Sequence, residues 1–94
     1  MTKYTIKYTT QFKKDYKLAK RQNKNLTLLK SIVALLADGQ PLPEKYRDHP
    51  LAGNWKGYRE CHILPDWLLI YKLDEDILIL TMARTGSHSE LFCK

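Results

Sequence analysis

The three histidines of this chain, His49, His62 and His88, all fall in its second half, in two stretches rich in Gly, Pro, Asp and Trp. The first reads DHPLAGNWKGYRECHILPDW from Asp48 to Trp67, the second RTGSHSELF from Arg84 to Phe92. Imidazole titrates near neutrality, so it can give or take a proton at working pH. With the carboxylate of Asp66 and the guanidinium of Arg84, three imidazoles form a parts list for cutting a phosphodiester without a metal. Such cleavage of RNA needs a base for the 2′-hydroxyl proton and an acid for the departing 5′-oxygen. It also needs cations or donors for the phosphoryl oxygens, and a grip on the nucleotide. Each proton transfer contributes about 10²–10⁴-fold, and charge stabilisation a comparable factor. Trp67, Tyr58 and Phe92 are candidates to stack on bases, at roughly 1–3 kcal/mol per base.

Each of these residues also has an ordinary structural use. A histidine beside Pro or Gly is commonly a surface or capping residue, an Asp after Pro commonly a turn residue. Trp55 and Trp67 can serve the core. Arg59 lies mid-strand, with Glu60, Asp66 or phosphate as alternative partners. A zinc site from His49, His62, His88 and Asp66 matches no common ligand spacing. Cys61 alternates with His62, so it should face the other side of its strand and be packing.

The elements that must position these groups follow from periodicity. Lys3 to Thr9 alternates Tyr4, Ile6 and Tyr8 with polar residues, the period of a half-buried strand. Thr10 is placed to cap a helix with Phe12, Tyr16 and Ala19 on one stripe, ending at Asn23 to Asn25. A second helix, about Leu26 to Ala37, carries Leu29, Ile32, Val33 and Leu36 at core spacing. Asp38-Gly39 ends it, with Pro41 and Pro43 beyond. Pro41 to Asn54 reads as a long loop, which in a compact domain points to function. Strands are expected at about Lys56 to Ile63, Trp67 to Leu73 and Asp76 to Met82. The turns Leu64-Pro65-Asp66 and Asp74-Glu75 are short enough to make them antiparallel. The last two are apolar at nearly every position, as in strands covered on both faces. Thr85-Gly86 reads as a turn and Ser87 to Phe92 as one helical turn. The order β-α-α-β-β-β argues for one α+β domain over residues 1–94, its αα-hairpin on one face of a four-stranded, mainly antiparallel sheet.

Ninety-four residues bury only about 60–65% of the surface they expose unfolded, so the core is modest. The longest apolar runs, Trp67 to Tyr71 and Ile77 to Leu80, fall far short of the roughly 20 residues of a membrane span. The N-terminus alternates and is polar, unlike a signal peptide. Cys61 and Cys93 are too few for a disulfide scaffold, so a cytoplasmic protein is expected. The net charge of +6 is uneven: eleven Lys/Arg against three acids up to Arg47, five against seven thereafter. Lys13, Lys14, Lys17, Lys20 and Arg21 cluster on the first helix. A polyanionic partner would use that face; the alternative is a solvated lysine-rich surface.

The two histidine-bearing stretches, with the FKKDYK of the first helix, resemble the YafQ branch of the RelE-like toxins of bacterial type II toxin–antitoxin systems. The likeness covers almost the whole chain and its C-terminal motifs are long. It implies a RelE-like fold and a ribosome-dependent endoribonuclease that cuts messenger RNA in the A site. The implied chemistry uses no metal and no cofactor: 2′-hydroxyl attack leaves a 2′,3′-cyclic phosphate and a 5′-hydroxyl. Carried over by position, His49, His62, Asp66 and His88 match the acid–base set. Trp67 and Phe92 adjoin the scissile nucleotides, and Arg84 contacts phosphate. His88 would be the acid, Asp66 with His62 the base side, and His49 would position substrate or share the base role. Lys13, Lys14, Lys17, Lys20 and Arg21 would grip ribosomal RNA. The implied partners are the 70S ribosome, its messenger and an acidic antitoxin of ribbon-helix-helix type, through which alone the toxin would meet operator DNA. Two rivals remain: a ParE-like toxin that binds DNA gyrase without catalysis, and a plain ribosome- or RNA-binding module.

Overall fold

The first helix begins where one hydroxyl serves two elements. A computed structural model describes residues 3–92; Cys93 lies outside them. After strand β1 (Thr5–Tyr8), Thr9 is extended (φ −73°, ψ 158°), and its Oγ1 accepts from the Phe12 N–H at 2.9 Å. The same hydroxyl donates to the Ala83 carbonyl at 2.7 Å. The cap is therefore Thr9 rather than Thr10, which is already the first residue of helix α1 (Thr10–Arg21). Helix α2 (Leu26–Ala37) is capped by Asn25, whose side chain accepts from the Leu28 N–H at 3.1 Å. It closes with Gly39 N–H on the Leu36 carbonyl and Gln40 N–H on that of Leu35, a paired C-cap requiring the left-handed φ of +75° found at Gly39. A Cβ there would also lie 2.8 Å from Lys3 Cδ.

Four further strands and a short helix complete the chain: β2 (His49–Pro50), β3 (Arg59–Leu64), β4 (Trp67–Asp74), β5 (Ile79–Gly86) and α3 (His88–Phe92). The sheet order is β1-β5-β4-β3-β2, with β1 parallel to β5 and every other pair antiparallel. The α+β class with its helical hairpin on one face is as expected, but the sheet has five strands, not four. The added strand comes from the segment read as loop. It is two residues long at the sheet edge, where Pro50 donates no ladder bond.

Two boundaries move for identifiable reasons. The turn at Gly53–Trp55 continues through hydrogen bonds from Lys56 to Gly53 and Tyr58 to Trp55, so β3 starts only at Arg59. Strand β5 begins at Ile79, after a turn in which Leu78 takes φ +53°, and runs through Thr85 and Gly86 rather than turning there. The β4–β5 register steps from Ile70↔Arg84 to Tyr71↔Met82, leaving Ala83 as the extra, bulged residue. Beyond the bulge the buried Thr85 hydroxyl donates to the Leu68 carbonyl at 2.7 Å, which holds the strand on β4.

The hairpin face of the sheet buries Cys61, Ile63, Trp67, Leu69, Tyr71, Leu80 and Met82 against Phe12, Ala19, Leu29, Ile32 and Leu36. The opposite face carries a smaller cluster, Leu68, Ile70, Ala83 and Leu91. Strand β4 is thus covered on both sides from Trp67 to Tyr71. Cys61 is fully buried, as strand alternation predicts, and burial first, then the Asp48 and Glu60 carboxylates, push its thiol up to about 12. Thiolate is the reactive form, so a Cys93→Ser variant should leave no thiol that titrates with an aromatic disulfide at pH 8 until denaturant is added. Prompt reaction of the folded protein would contradict this packing. Among the described residues, no helix is long and apolar enough to cross a membrane.

Candidate active site

Strand alternation divides β3 cleanly. Cys61 and Ile63 enter the hairpin core, so Glu60 and His62 stand on the other face. Across the β2–β3 ladder His49 is the register partner of Glu60. Across the other ladders His62 pairs with Leu68, and Leu68 with Gly86, two residues before His88. The result is a row of rings over one face. His49 and His62 have centroids 6.2 Å apart, His62 and His88 5.9 Å, and His88 and Phe92 5.9 Å. His49 and His88 are exposed and His62 is partly buried, so the row is open to a ligand.

Each ring is held by its neighbourhood. Helix α3 opens with a reciprocal cap: Ser87 N–H donates to Glu90 Oε1 at 2.8 Å, and Glu90 N–H to Ser87 Oγ at 3.2 Å. That backbone hydrogen bond from Ser87 holds the Glu90 carboxyl below its usual range. Leu91 anchors the helix among Leu68, Ile70 and Ala83, and Gly86 lets it approach, since a Cβ there would sit 3.0 Å from Glu90 Oε1. At the other end, His49 donates from Nδ1 to the Arg47 carbonyl at 2.7 Å; a carbonyl only accepts, so the proton is on Nδ1. Arg47 reaches that geometry in a left-handed conformation, φ 48° and ψ 46°.

The residue between them, Asp48, turns to the hairpin face. It accepts from Arg59 Nε and Nη2, each at 3.3 Å, and from the Tyr71 hydroxyl. Burial and this bond to Asp48 push the Tyr71 phenol upward, so it remains a neutral donor. Of the three partners open to Arg59 from sequence, none is the one observed. The Asp48 tether fastens β2, and with it His49, to the body of the sheet.

Glu60 is the site residue that the sequence reading missed. Its side chain is 5% exposed, and its Oε1 lies 3.4 Å from His49 Nε2 and 3.5 Å from His62 Nε2. The signal was present in the triplet ECH: with Cys61 assigned to the core, Glu60 and His62 share a face. Asp66 sits exposed on the two-residue turn between β3 and β4; among the described residues its side chain has no hydrogen-bond or ion-pair partner, and it does not contact the row.

Two expectations from the resemblance meet a different environment. Trp67 is 1% exposed, on the parity of Leu69 and Tyr71, with Lys24 Nζ 5.6 Å from its ring; it is core and offers no face to a nucleotide. Arg84 closes on buried Asp15 of α1 through Nε–Oδ2 and Nη2–Oδ1 contacts of 3.0 Å. Asp15 also accepts from the Thr85 N–H at 3.2 Å. Asp15, Trp67, Arg84 and Glu90 line a pocket of about 210 Å³ that none of the three imidazoles lines. Lys13, Lys14, Lys17, Lys20 and Arg21 are all exposed on α1, across the sheet from the ring row.

Chemically, the row sets two imidazoles 5.9 Å apart, a distance that can flank one phosphodiester, with a third imidazole and a carboxylate behind one of them and an aromatic ring beside the other. Residues 4–93 match the family described as the YafQ bacterial toxin of type II toxin–antitoxin systems. The chain is 47% identical over 93 residues to the mRNA interferase toxin YafQ of Escherichia coli, covering 98% of this chain and 99% of that protein. The crystal structure of the E. coli DinJ-YafQ toxin–antitoxin complex matches with a TM-score of 0.88 at 47% identity, over 96% of this chain and 98% of the other. A crystal structure of YafQ from E. coli gives a TM-score of 0.89 at the same identity, covering 95% and 98%.

Proposed function

The chain belongs to the YafQ family of type II toxins, and from that premise we propose that it is an mRNA interferase, an endoribonuclease that cuts messenger RNA on the ribosome. The observation that carries the reading is the convergence of His49, His62 and His88 on one open face, with Phe92 at its end. A toxin that only binds its target has no need of such a set.

In the proposed reaction His62 takes the proton of the ribose 2′-hydroxyl. The 2′-oxygen then attacks phosphorus, the bond to the 5′-oxygen breaks, and His88 delivers a proton to that leaving oxygen. The products are a 2′,3′-cyclic phosphate and a 5′-hydroxyl. His49 extends the base side, and Phe92 stacks on a base next to the cut. Asp66, exposed on its turn, is assigned to the bound nucleotide on the base side. Arg84 is assigned to phosphate from its place in the RTGSH motif, with Asp15 setting the plane of its guanidinium.

The basic face of α1 lies across the sheet from the rings, so it would hold the ribosome rather than the scissile strand. Contacts to ribosomal phosphates use cationic charge and read no sequence. Neutralising Lys13, Lys14 and Lys17 together should weaken ribosome association and flatten its salt dependence, as measured by sedimentation at several ionic strengths. Unchanged binding would remove α1 from the account. The proposed neutralising partner is an acidic antitoxin of ribbon-helix-helix type, attracted by the net charge of +6. The proposed site of action is the cytoplasm, where ribosomes are.

The deciding experiment is a reconstituted translation reaction. The wild-type chain should create new 5′ ends in messenger at discrete in-frame positions. Ends that appear equally without ribosomes would contradict A-site cleavage.

A further inference from the structure

We propose that Glu60 is a positioning residue that joins His49 and His62 into one proton-handling unit and fixes the tautomer of the base. The inference deepens the ribonuclease reading and rests on it for its catalytic meaning. Glu60 is 4% exposed, and a buried carboxylate is costly unless charge or hydrogen bonds compensate it. Among the described residues its ion-pair partners are two imidazoles, His49 from β2 and His62 from β3, both meeting the same Oε1. On β4 its register partner is the apolar Ile70. The nearest guanidinium in sequence, Arg59, is turned to the opposite face and paired with Asp48. His88, on α3, meets the unit through the His62 ring, at a centroid distance of 5.9 Å.

The two imidazoles are not equivalent. His49 has Nδ1 committed to the Arg47 carbonyl, so Nε2 is its remaining nitrogen. His62 has Nε2 at 3.5 Å from the carboxylate, a few tenths of an ångström beyond a good hydrogen bond. A proton on that nitrogen suits the carboxylate and leaves Nδ1 of His62 as the basic atom. When Nδ1 takes the 2′-hydroxyl proton, the charge on the ring is answered by Glu60, as in other nucleophile–base pairs oriented by a third group. His49 meets the same oxygen through Nε2, and because its Nδ1 already carries a proton it can donate there only as an imidazolium, so a charge on either ring is answered by one carboxylate.

Three proteins test this: wild type, Glu60→Gln and Glu60→Asp. Nitrogen-15 spectra of the histidine side chains should show His62 protonated at Nε2 in wild type and a mixture of tautomers in Glu60→Gln. Ribosome-dependent cleavage by Glu60→Gln should lose about 100-fold in kcat with KM within about twofold. Its pH–rate profile should move toward acid, because the charge that favours the protonated base is gone. Glu60→Asp, which keeps the charge, should recover part of the rate. The proposal is overturned if folded Glu60→Gln keeps the wild-type His62 tautomer, or if its pH profile superimposes on wild type and only thermal stability falls. The spectra need no substrate, so they judge the coupling even if wild type cuts no RNA.

Discussion

Replacing His88 by Ala should lower ribosome-dependent cleavage by about 10²–10⁴-fold, the usual worth of one positioned proton donor. His88 is the first residue of α3 and is exposed, so its ring can be removed without opening a cavity. The reciprocal cap between Ser87 and Glu90 and the burial of Leu91 remain to hold the helix. Fold and ribosome affinity are therefore expected to survive, and growth on induction to be restored. Primer extension across a reporter messenger measures the cleavage, and circular dichroism the fold. Toxicity undiminished in a folded His88→Ala protein would end the nuclease reading in favour of a target-binding one, such as a gyrase poison. Cleavage falling only a few-fold would instead move the acid role to another group of the row.

The largest effect on stability is expected from Asp15→Ala. Asp15 is 8% exposed and joins α1 to β5 through both guanidinium contacts of Arg84 and the Thr85 N–H. Breaking a buried ion pair from one side costs about 3–5 kcal/mol, and the partial exposure of Arg84 reduces this one to about 2–4 kcal/mol. For a domain of this size that is a fall in Tm on the order of 10–20 °C. Asp15→Asn should also destabilise, since the amide presents a donor where Arg84 and Thr85 already donate. Urea unfolding measures both. A loss under about 1 kcal/mol for Asp15→Ala would show that α1 is held to the sheet by its apolar stripe alone. Because Arg84 is the proposed phosphate ligand, residual folded Asp15→Asn should also cleave more slowly than wild type.

The helices were legible because they obey a local rule. Phe12 with Ala19, and Leu29 with Ile32 and Leu36, repeat at the period of a helix, and each run is closed by Asn or Gly. The buried Asp15 breaks that pattern, and a charged residue inside the stripe is explained only by Arg84 and Thr85, far along the chain. The strand β2 was invisible for a related reason. A two-residue edge strand containing Pro50 has no periodicity, and only pairing with Arg59 and Glu60 makes it a strand.

Residue types and motif spacing alone determined that this is a basic α+β chain whose candidate acid–base residues fall in its second half, because composition and short-range periodicity are written locally. Which face each side chain takes was decided by tertiary structure. In the apolar run from Trp67 to Tyr71, no polar alternation marks inside from outside, so the burial of Trp67 rests on which strand pairs with which. The same pairing carries Glu60 between His49 and His62 and swings Arg84 onto Asp15. Strand register is a long-range quantity, and shifting it by one residue exchanges the two faces of a sheet.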